Sequence, residues 1–152
     1  MPRRNLSMQE APVRVRQVMT QSPACCTPDT KIFVVAKMMA EHDCGEIPVI
    51  DAGEVIGVVT DRDITCRAVA RGMNPLETPV REVMTSEPYT VSEHADIVDA
   101  ATLMEEHHVR RLPVTRDGVL IGIVSQADLI QNLPYDKVLE LMTAVSRPAV
   151  FA

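Results

Sequence analysis

Two short segments combine a hydroxyl and a carboxylate at the same spacing. Thr60 is followed three residues later by Asp63, and Ser125 is followed three residues later by Asp128. A carboxylate accepts two hydrogen bonds from vicinal hydroxyls, and a hydroxyl at a helix N-terminus lies among free backbone N–H groups that favour an anion. The same spacing is also that of a helix capping box. Each segment therefore predicts a site for vicinal hydroxyls and an anion, a helix cap, or both.

Positive charge for an anion is available from a few arginines. Arg110 and Arg111 are adjacent, with guanidinium groups suited to bidentate contact with an oxyanion, and Arg62 is a further candidate. The whole chain nevertheless carries 15 Lys and Arg against 21 Asp and Glu, and its aromatic content is 3%. Because a basic surface and stacking aromatic rings are both scarce, we expect no nucleic-acid partner.

The cysteines raise the question of metal or redox chemistry. Cys25, Cys26 and Cys44, with His42, are the candidate zinc ligands. Paired zinc-binding cysteines usually stand two to four residues apart, so adjacent cysteines suit one tetrahedral ion poorly. We expect reduced thiols that pack as small apolar side chains, with a redox- or zinc-responsive site as the alternative.

The composition is that of one compact domain. The chain has 152 residues, of which 46% are hydrophobic and 24% charged, and this length buries roughly 70% of the unfolded surface without disulfides or metals. No stretch approaches the roughly 20 apolar residues of a membrane-spanning helix. We expect a cytoplasmic protein with no membrane partner.

The sequence repeats itself at an offset of 65 residues. Val18-Met19-Thr20 recurs as Val83-Met84-Thr85. Further pairs at this offset are Pro23/Pro88, Ile32/Ile97, Met39/Met104, Pro48/Pro113, Gly57/Gly122 and Asp63/Asp128. We divide the chain into repeat 1 (13–72), a linker (73–79), repeat 2 (80–131) and a C-terminal helix and tail (132–152).

Each repeat predicts the order strand, helix, strand, strand, helix. In repeat 1 these elements are expected near 24–27, from 28–30 to 43 with Thr30 as the capping residue, at 46–50, at 55–59, and from a cap at Thr60 to about 71. In repeat 2 they are expected at 89–91, 95–108, a hairpin over 111–124, and from Ser125. A last helix over 134–146 places Val138, Leu141, Met142 and Val145 on one stripe. The fold class is therefore α/β (α+β).

The first helix is apolar on nearly all sides, with Ile32, Phe33, Val34, Val35 and Met39 among its residues. A helix of this kind is buried on more than one face. One face packs on its own sheet, so we expect the other to contact either the second repeat or another chain, and a homodimer is the simpler hypothesis.

These features resemble a tandem pair of cystathionine-β-synthase (CBS) domains, which is called a Bateman module. The resemblance covers about 13–131 and rests on the doubled Val-Met-Thr and on the closing segments Gly57-Val58-Val59-Thr60-Asp61-Arg62-Asp63 and Gly122-Ile123-Val124-Ser125-Gln126-Ala127-Asp128. It also rests on the strands Ile47-Pro48-Val49 and Leu112-Pro113-Val114. The Leu133-Pro134 tail is similar to stand-alone bacterial CBS pairs of the hypoxic-response type.

The resemblance implies two pseudo-symmetric repeats with two clefts that bind adenosine-containing ligands. AMP is the first candidate, followed by ATP, NAD and S-adenosylmethionine-type ligands. Thr60 with Asp63 would bind ribose and phosphate in one cleft, and Ser125 with Asp128 in the other. The two Pro-containing strands would line the adenine. The repeat-1 equivalents of Arg110 and Arg111 are Gly45 and Glu46, so we expect unequal clefts whose phosphate affinity depends on Arg110 or Arg111.

The resemblance also implies a regulatory module for energy sensing and signal transduction, rather than an enzyme. The sequence contains no Gly-x-Gly-x-x-Gly, Gly-Lys-Ser/Thr, His-Glu-x-x-His or Gly-x-Ser-x-Gly motif. A ligand would act by favouring one conformation or by changing the affinity for a protein partner. The alternative is a ligand-free interaction module, or a redox- or zinc-responsive one.

Overall fold

The computed structural model describes residues 11–146 and shows the expected mixture of helices and strands in two repeats. Residues 147–152 of the expected tail lie outside the described residues. Repeat 1 contains α1 (Val15–Val18), β1 (Thr20–Gln21), α2 (Ile32–His42), β2 (Glu46–Asp51), β3 (Glu54–Thr60) and α3 (Asp61–Asp63), which continues as a π-helix (Ile64–Val69). Repeat 2 contains a 3-10 turn (Val80–Glu82), β4 (Thr85–Ser86), β5 (Val91–Ser92), α4 (Ile97–His107), β6 (Arg111–Arg116), β7 (Val119–Ser125) and α5 (Gln126–Ile130), and α6 (Tyr135–Ser146) follows. The fold class predicted from the sequence is confirmed.

The first long helix starts later than the sequence predicts. The Thr30 hydroxyl accepts a hydrogen bond from the Thr27 N–H at 3.1 Å, so it closes a turn instead of capping the helix. Lys31 is the residue before the helix and gives no side-chain cap. α2 and α4 end alike, because Asp43 and His108 both adopt the left-handed conformation. Such a residue stops a helix and redirects the chain into the following strand.

The strands form one sheet in the order β2-β3-β7-β6-β5. β2 with β3 and β6 with β7 are antiparallel hairpins. Their turns contain Gly53 and Gly118 at φ 82°, each after a non-glycine residue that also has positive φ, which is the geometry of a tight hairpin turn. The two hairpins meet at their turn ends, where Glu54 lies opposite Val119.

The segments at the head of each repeat exchange places. β1 of repeat 1 pairs with β7 of repeat 2, and β4 of repeat 2 pairs with β3 of repeat 1. Val15 is fully buried in the core of repeat 2, whereas Val80 and Val83 are fully buried in the core of repeat 1. The sequence did not predict these short strands, and the strand that it predicted near 24–27 in repeat 1 is reduced to a single bridge between Cys26 and Val49. The division at 13–72 and 80–131 follows the sequence repeat, while the packing interlocks the two halves.

The last helix lies mainly where it was expected, with one difference in its apolar stripe. Leu141 and Val145 are buried and Val138 packs against the repeat-2 core, but Met142 is 47% exposed. Met142 follows Leu141 by one residue, which turns it about 100° around the helix and away from α4. Within residues 11–146, every helix is too short or too polar to cross a bilayer.

Candidate functional site

The two hydroxyl–carboxylate motifs occupy equivalent positions, directly after β3 and β7. The Asp63 N–H donates to Thr60 Oγ1 at 3.1 Å, and Asp63 Oδ2 accepts from the Thr60 N–H at 2.9 Å. At the second motif, the corresponding distances are 3.2 Å to Ser125 Oγ and 2.8 Å to Asp128 Oδ2. Both are complete capping boxes, so the capping interpretation is confirmed. Each box uses one carboxylate oxygen and leaves the other available.

The second carboxylate oxygen has different surroundings in the two motifs. Asp63 Oδ1 lies 3.7 Å from Nε of Arg67, which also donates from a terminal nitrogen to the carbonyls of Val83 and Met84. The repeat-2 equivalent of Arg67 is Asn132, a neutral residue whose amide lies 3.5 Å from the Asp128 carbonyl. Among the described residues, no basic side chain forms an ion pair with Asp128. Asp128 is therefore the less compensated of the two carboxylates.

Thr60 and Asp63 line a cavity of about 200 Å³, which we call the Thr60 cleft. Its opposite wall comes from repeat 2, from the loop after β4 and from the start of β6. The residues of that wall are Thr85, Glu87, Pro88, Tyr89, Val109, Arg111, Leu112 and Pro113, and repeat 1 adds Glu46 and Val58.

Ser125 and Asp128 line a larger cavity of about 360 Å³, which we call the Ser125 cleft. Here the opposite wall comes from repeat 1. Its residues are Thr20, Ser22, Pro23, Ala24, His42, Cys44 and Glu46, and repeat 2 adds Arg111 and Ile123. Each cleft therefore joins the motif of one repeat to the loop and strand start of the other.

The Pro-containing strands contribute unequally to these cavities. Leu112 and Pro113 line the Thr60 cleft. The side chains of Ile47, Val49 and Val114 are instead fully buried in the two hydrophobic cores, and Pro48 is buried on β2.

The structure brings the three candidate arginines together beside Thr60. Arg62, Arg110 and Arg111 line an open groove that also contains Asp61 and His108. The groove shares Thr60, Glu46, Val109 and Arg111 with the Thr60 cleft. Arg110 and Arg111 are exposed to solvent, so their guanidinium groups are free to contact a phosphate. A phosphate at the Thr60 hydroxyl would face this groove.

Glu46 is a functional candidate, although its position in the repeat indicated only a missing positive charge. It lines both clefts, and its Oε2 atom is buried with no hydrogen-bond partner among residues 11–146. Burial raises the pKa of Glu46 to about 7, against a lowering by Arg111 and with a further rise from Asp63. The sequence did offer one signal for this residue, because Glu46 and Arg111 carry opposite charges at equivalent positions of the two repeats. Burial of the Glu46 Oε2 atom could not be predicted in this way, because it depends on tertiary packing.

A stacked aromatic pair at the Thr60 cleft was also missed. The rings of Tyr89 and His107 are parallel within 13°, with centroids 3.6 Å apart. Tyr89 lines the cleft, and Ala24 holds the equivalent position in the Ser125 cleft. The Thr60 cleft therefore offers a flat aromatic surface that its counterpart lacks.

The candidate zinc ligands do not form a cluster. Cys26 is buried, and burial raises the pKa of its thiol to about 12, which disfavours the thiolate that binds metal. Cys44 lines the Ser125 cleft, whereas Cys25 is not part of that cavity. Among residues 11–146, no three His, Cys, Asp or Glu side chains are placed to hold a metal ion. The cysteines and His42 named for a zinc site therefore share no common centre within residues 11–146.

Comparison with known proteins identifies the family to which these clefts belong. The family model of the CBS domain matches twice, at residues 15–68 and 80–135. The chain belongs to the CBS domain family. It is a CBS pair, and such pairs form regulatory modules.

Several relatives share most of their length with this CBS pair. Hypoxic response protein 1 of Mycobacterium tuberculosis is 33% identical over 138 residues, covering 90% of this chain and 96% of that protein. The CBS domain-containing protein YhcV of Bacillus subtilis is 39% identical over 118 residues, covering 78% and 84%.

Solved structures show the same fold. A crystal structure of Hypoxic Response Protein I with two coordinated zinc ions has a TM-score of 0.74 and 34% identity, over 80% of this chain and all of that one. A crystal structure of CBSX2 in complex with AMP has a TM-score of 0.68 and 28% identity, over 78% of this chain and 93% of that one.

Proposed function

We propose that this CBS pair is a sensor that binds an adenosine-containing nucleotide, AMP first, in the clefts between its repeats. The observation that carries the proposal is the groove beside Thr60, where three arginines converge next to a hydroxyl–carboxylate motif. AMP in the related CBSX2 structure supports this choice. ATP, NAD and S-adenosylmethionine-type ligands carry the same adenosine group and are the competing candidates.

Each part of AMP has a complementary group in the Thr60 cleft or in the groove beside it. The oxygen of Asp63 that the cap leaves available accepts from the ribose hydroxyls, and the Thr60 hydroxyl with Arg62, Arg110 and Arg111 binds the phosphate. Leu112 and Pro113 provide apolar contact for adenine, and the Tyr89 ring adds a stacking surface. In the Ser125 cleft, Ser125 and Asp128 have the corresponding roles.

The response to ligand follows from the interlocked repeats. Both clefts join residues from the two halves of the chain, so a bound nucleotide favours the arrangement of the repeats that fits it. A ligand shifts such an equilibrium only as far as its affinity differs between the arrangements. The resulting change in surface would alter the affinity for a regulated protein partner.

A thermal-shift panel of AMP, ADP, ATP, NAD, NADH and S-adenosylmethionine tests the proposed function. A ligand present at 100 times its dissociation constant stabilises the folded state by about 2.7 kcal/mol, or roughly 5–10 °C for a chain of this size. We expect AMP to give such a shift with the wild type. The shift should be smaller in at least one of the variants Asp63→Asn and Asp128→Asn, because the amide keeps an acceptor for the cap but loses the charge that binds ribose.

Asp96→Asn is the matched control for these variants. Asp96 caps α4 by accepting from the Val98 N–H at 2.8 Å and lines neither cleft. It should therefore leave the nucleotide shift unchanged. If none of the six compounds raises the melting temperature of the wild-type chain, the nucleotide-sensor function is wrong.

We also infer that the chain forms a homodimer through the outer face of α2. Phe33 and Val34 are 50% and 44% exposed there, and Phe33 donates its N–H to the Pro75 carbonyl beside Leu76, which is 62% exposed. A second copy would cover this apolar patch.

Light scattering should give twice the 16.8 kDa chain mass for the wild type and the single mass for Phe33→Glu. Tyr135→Glu, which changes an exposed aromatic residue on α6, should stay dimeric, and a monomeric wild-type protein would contradict the proposal.

A further inference from the structure

Two residues are shared by the walls of both clefts, and they carry opposite charges. Glu46 and Arg111 line the Thr60 cleft and the Ser125 cleft alike, and no other residue among those described does so. They stand at equivalent repeat positions, since 111 − 46 = 65. Glu46 lies opposite Thr60 on β2, and Arg111 lies opposite Ser125 on β6. The pair therefore lies between the two clefts, next to both hydroxyls.

The Glu46 carboxyl is poorly compensated at this position. Its buried Oε2 atom has no hydrogen-bond partner among the described residues, although Arg111 is near enough to favour the charged form. A buried carboxylate without such partners is costly and tends to take up a proton. A phosphate placed against Arg111 would add negative charge beside Glu46 and increase this cost.

We propose that Glu46 determines the charge selectivity of the clefts: its ionised form disfavours an adenosine phosphate, and its neutral form admits one. The inference rests on the proposed nucleotide-binding function. The neutral carboxyl also gains an O–H donor for a phosphate oxygen. Adenosine itself places no charge near Glu46, so its affinity should depend little on the state of this residue.

The other charged and titratable groups around Glu46 come from every neighbouring element. They are Asp61, Arg62 and Asp63 on α3, His42 at the end of α2, Cys44 before β2, Glu87 and Tyr89 after β4, His108 and Arg110 before β6, and Asp128 on α5. Asp63 acts on Glu46 in the same direction as burial, and Arg111 in the opposite direction. The pKa near 7 that results places the change of state within the physiological pH range.

Calorimetric titration of AMP and adenosine into the wild-type chain and Glu46→Gln tests this selectivity. At pH 8, where Glu46 is ionised, we expect Glu46→Gln to bind AMP roughly ten-fold more tightly than the wild type, with adenosine affinity changed by less than about two-fold. Near pH 6 the two proteins should bind AMP with similar affinity. The phosphate of AMP titrates with a pKa of about 6, but it does so equally for both proteins, so their difference reports Glu46.

Two further variants make the result specific. Glu41→Gln removes an exposed carboxylate on α2 outside both clefts and should reproduce the wild-type affinities. Glu46→Ala removes the same charge without an amide and should also tighten AMP binding at pH 8, which covers the case in which the glutamine variant folds poorly. Unchanged or weaker AMP binding in both Glu46 variants at pH 8 would overturn the selectivity proposal. If neither AMP nor adenosine binds to the wild type or to any of the variants, the nucleotide-binding function itself is wrong, and the selectivity proposal falls with it.

Discussion

Glu46→Gln is expected to stabilise the ligand-free protein relative to the wild type progressively as the pH rises from about 4.5 to 7. Burial raises the pKa of Glu46 from 4.5 in its ordinary state to about 7 in the folded chain. The folded state therefore binds this proton more tightly than the unfolded state does. The stability that protonated Glu46 contributes is complete below pH 4.5 and is lost as the pH passes through 7.

The size of this loss follows from the two pKa values. A difference of about 2.5 pKa units corresponds to about 3 kcal/mol in the free energy of unfolding. Glutamine does not titrate, so the difference between variant and wild type should grow by about this amount across the window. Urea unfolding at a series of pH values, with both proteins compared at each pH, measures the change.

Glu41→Gln serves as the control for the same chemical substitution. The Glu41 side chain is 59% exposed and lies 4.0 Å from Lys37 on the helix surface. Exposed pairs of this kind contribute little to stability, so its difference from the wild type should be nearly independent of pH. A difference between Glu46→Gln and the wild type that stays constant across the window would show that Glu46 is not held in its neutral form.

Gly122→Ala is expected to destabilise the protein by about 2–3 kcal/mol, because the exchanged head of repeat 1 packs directly on this residue. A Cβ atom at Gly122 would lie 2.6 Å from the Met19 sulfur and 2.9 Å from the Thr20 carbonyl oxygen. The methionine side chain is able to move aside. The Thr20 carbonyl is not, because β1 is held in register with β7 through the pairs Thr20–Ile123 and Gln21–Gly122. Urea unfolding measures the loss, and the melting temperature should fall by roughly 4–12 °C.

A double variant separates the two contacts. If the sulfur alone caused the loss, Met19→Ala with Gly122→Ala would restore the stability of the Met19→Ala parent. We expect at most partial recovery, because the clash with the Thr20 carbonyl persists. The pseudo-equivalent Gly57, with Met84 sulfur at 2.7 Å and the Thr85 carbonyl at 3.0 Å, should behave alike.

Gly45→Ala provides the comparison for a glycine outside the exchanged contact. A Cβ atom there would meet the Asp61 carboxylate at 3.2 Å, and Asp61 is exposed and able to move. Gly45→Ala should therefore lower the free energy of unfolding by much less than Gly122→Ala does. If Gly45→Ala and Gly122→Ala lose the same stability, the packing of β1 on β7 does not require a residue without a side chain at position 122.

The repeated pattern of the sequence was sufficient to predict most of the local structure. The 65-residue offset identified the two repeats, and hydrophobic periodicity with turn residues located both hairpins and the three long helices. Thr60 and Ser125 were correctly predicted as caps, because a capping box involves only residues three apart. Thr30 was wrongly predicted as a cap, since its hydroxyl has a competing local partner in Thr27.

Features that depend on contacts between distant parts of the chain could not be predicted from these local patterns. The short strands β1 and β4 have two residues each, and they are strands only because the hairpin of the other repeat offers them an edge. That exchange also decides which motif shares a cleft with which loop. No residue pattern within either repeat indicates which strand of the other repeat its short strand pairs with.

The amino-acid sequence by itself therefore determined the family, the three long helices, both hairpins and the two motifs that carry the expected binding chemistry. Only the tertiary structure decided that the clefts combine opposite repeats, that Tyr89 stacks on His107, and that Glu46 lies half-buried between both clefts with its Oε2 atom enclosed. The reason is physical: caps, turns and periodicity act over a few residues, whereas burial and the pKa that follows from it depend on every element that packs around a side chain.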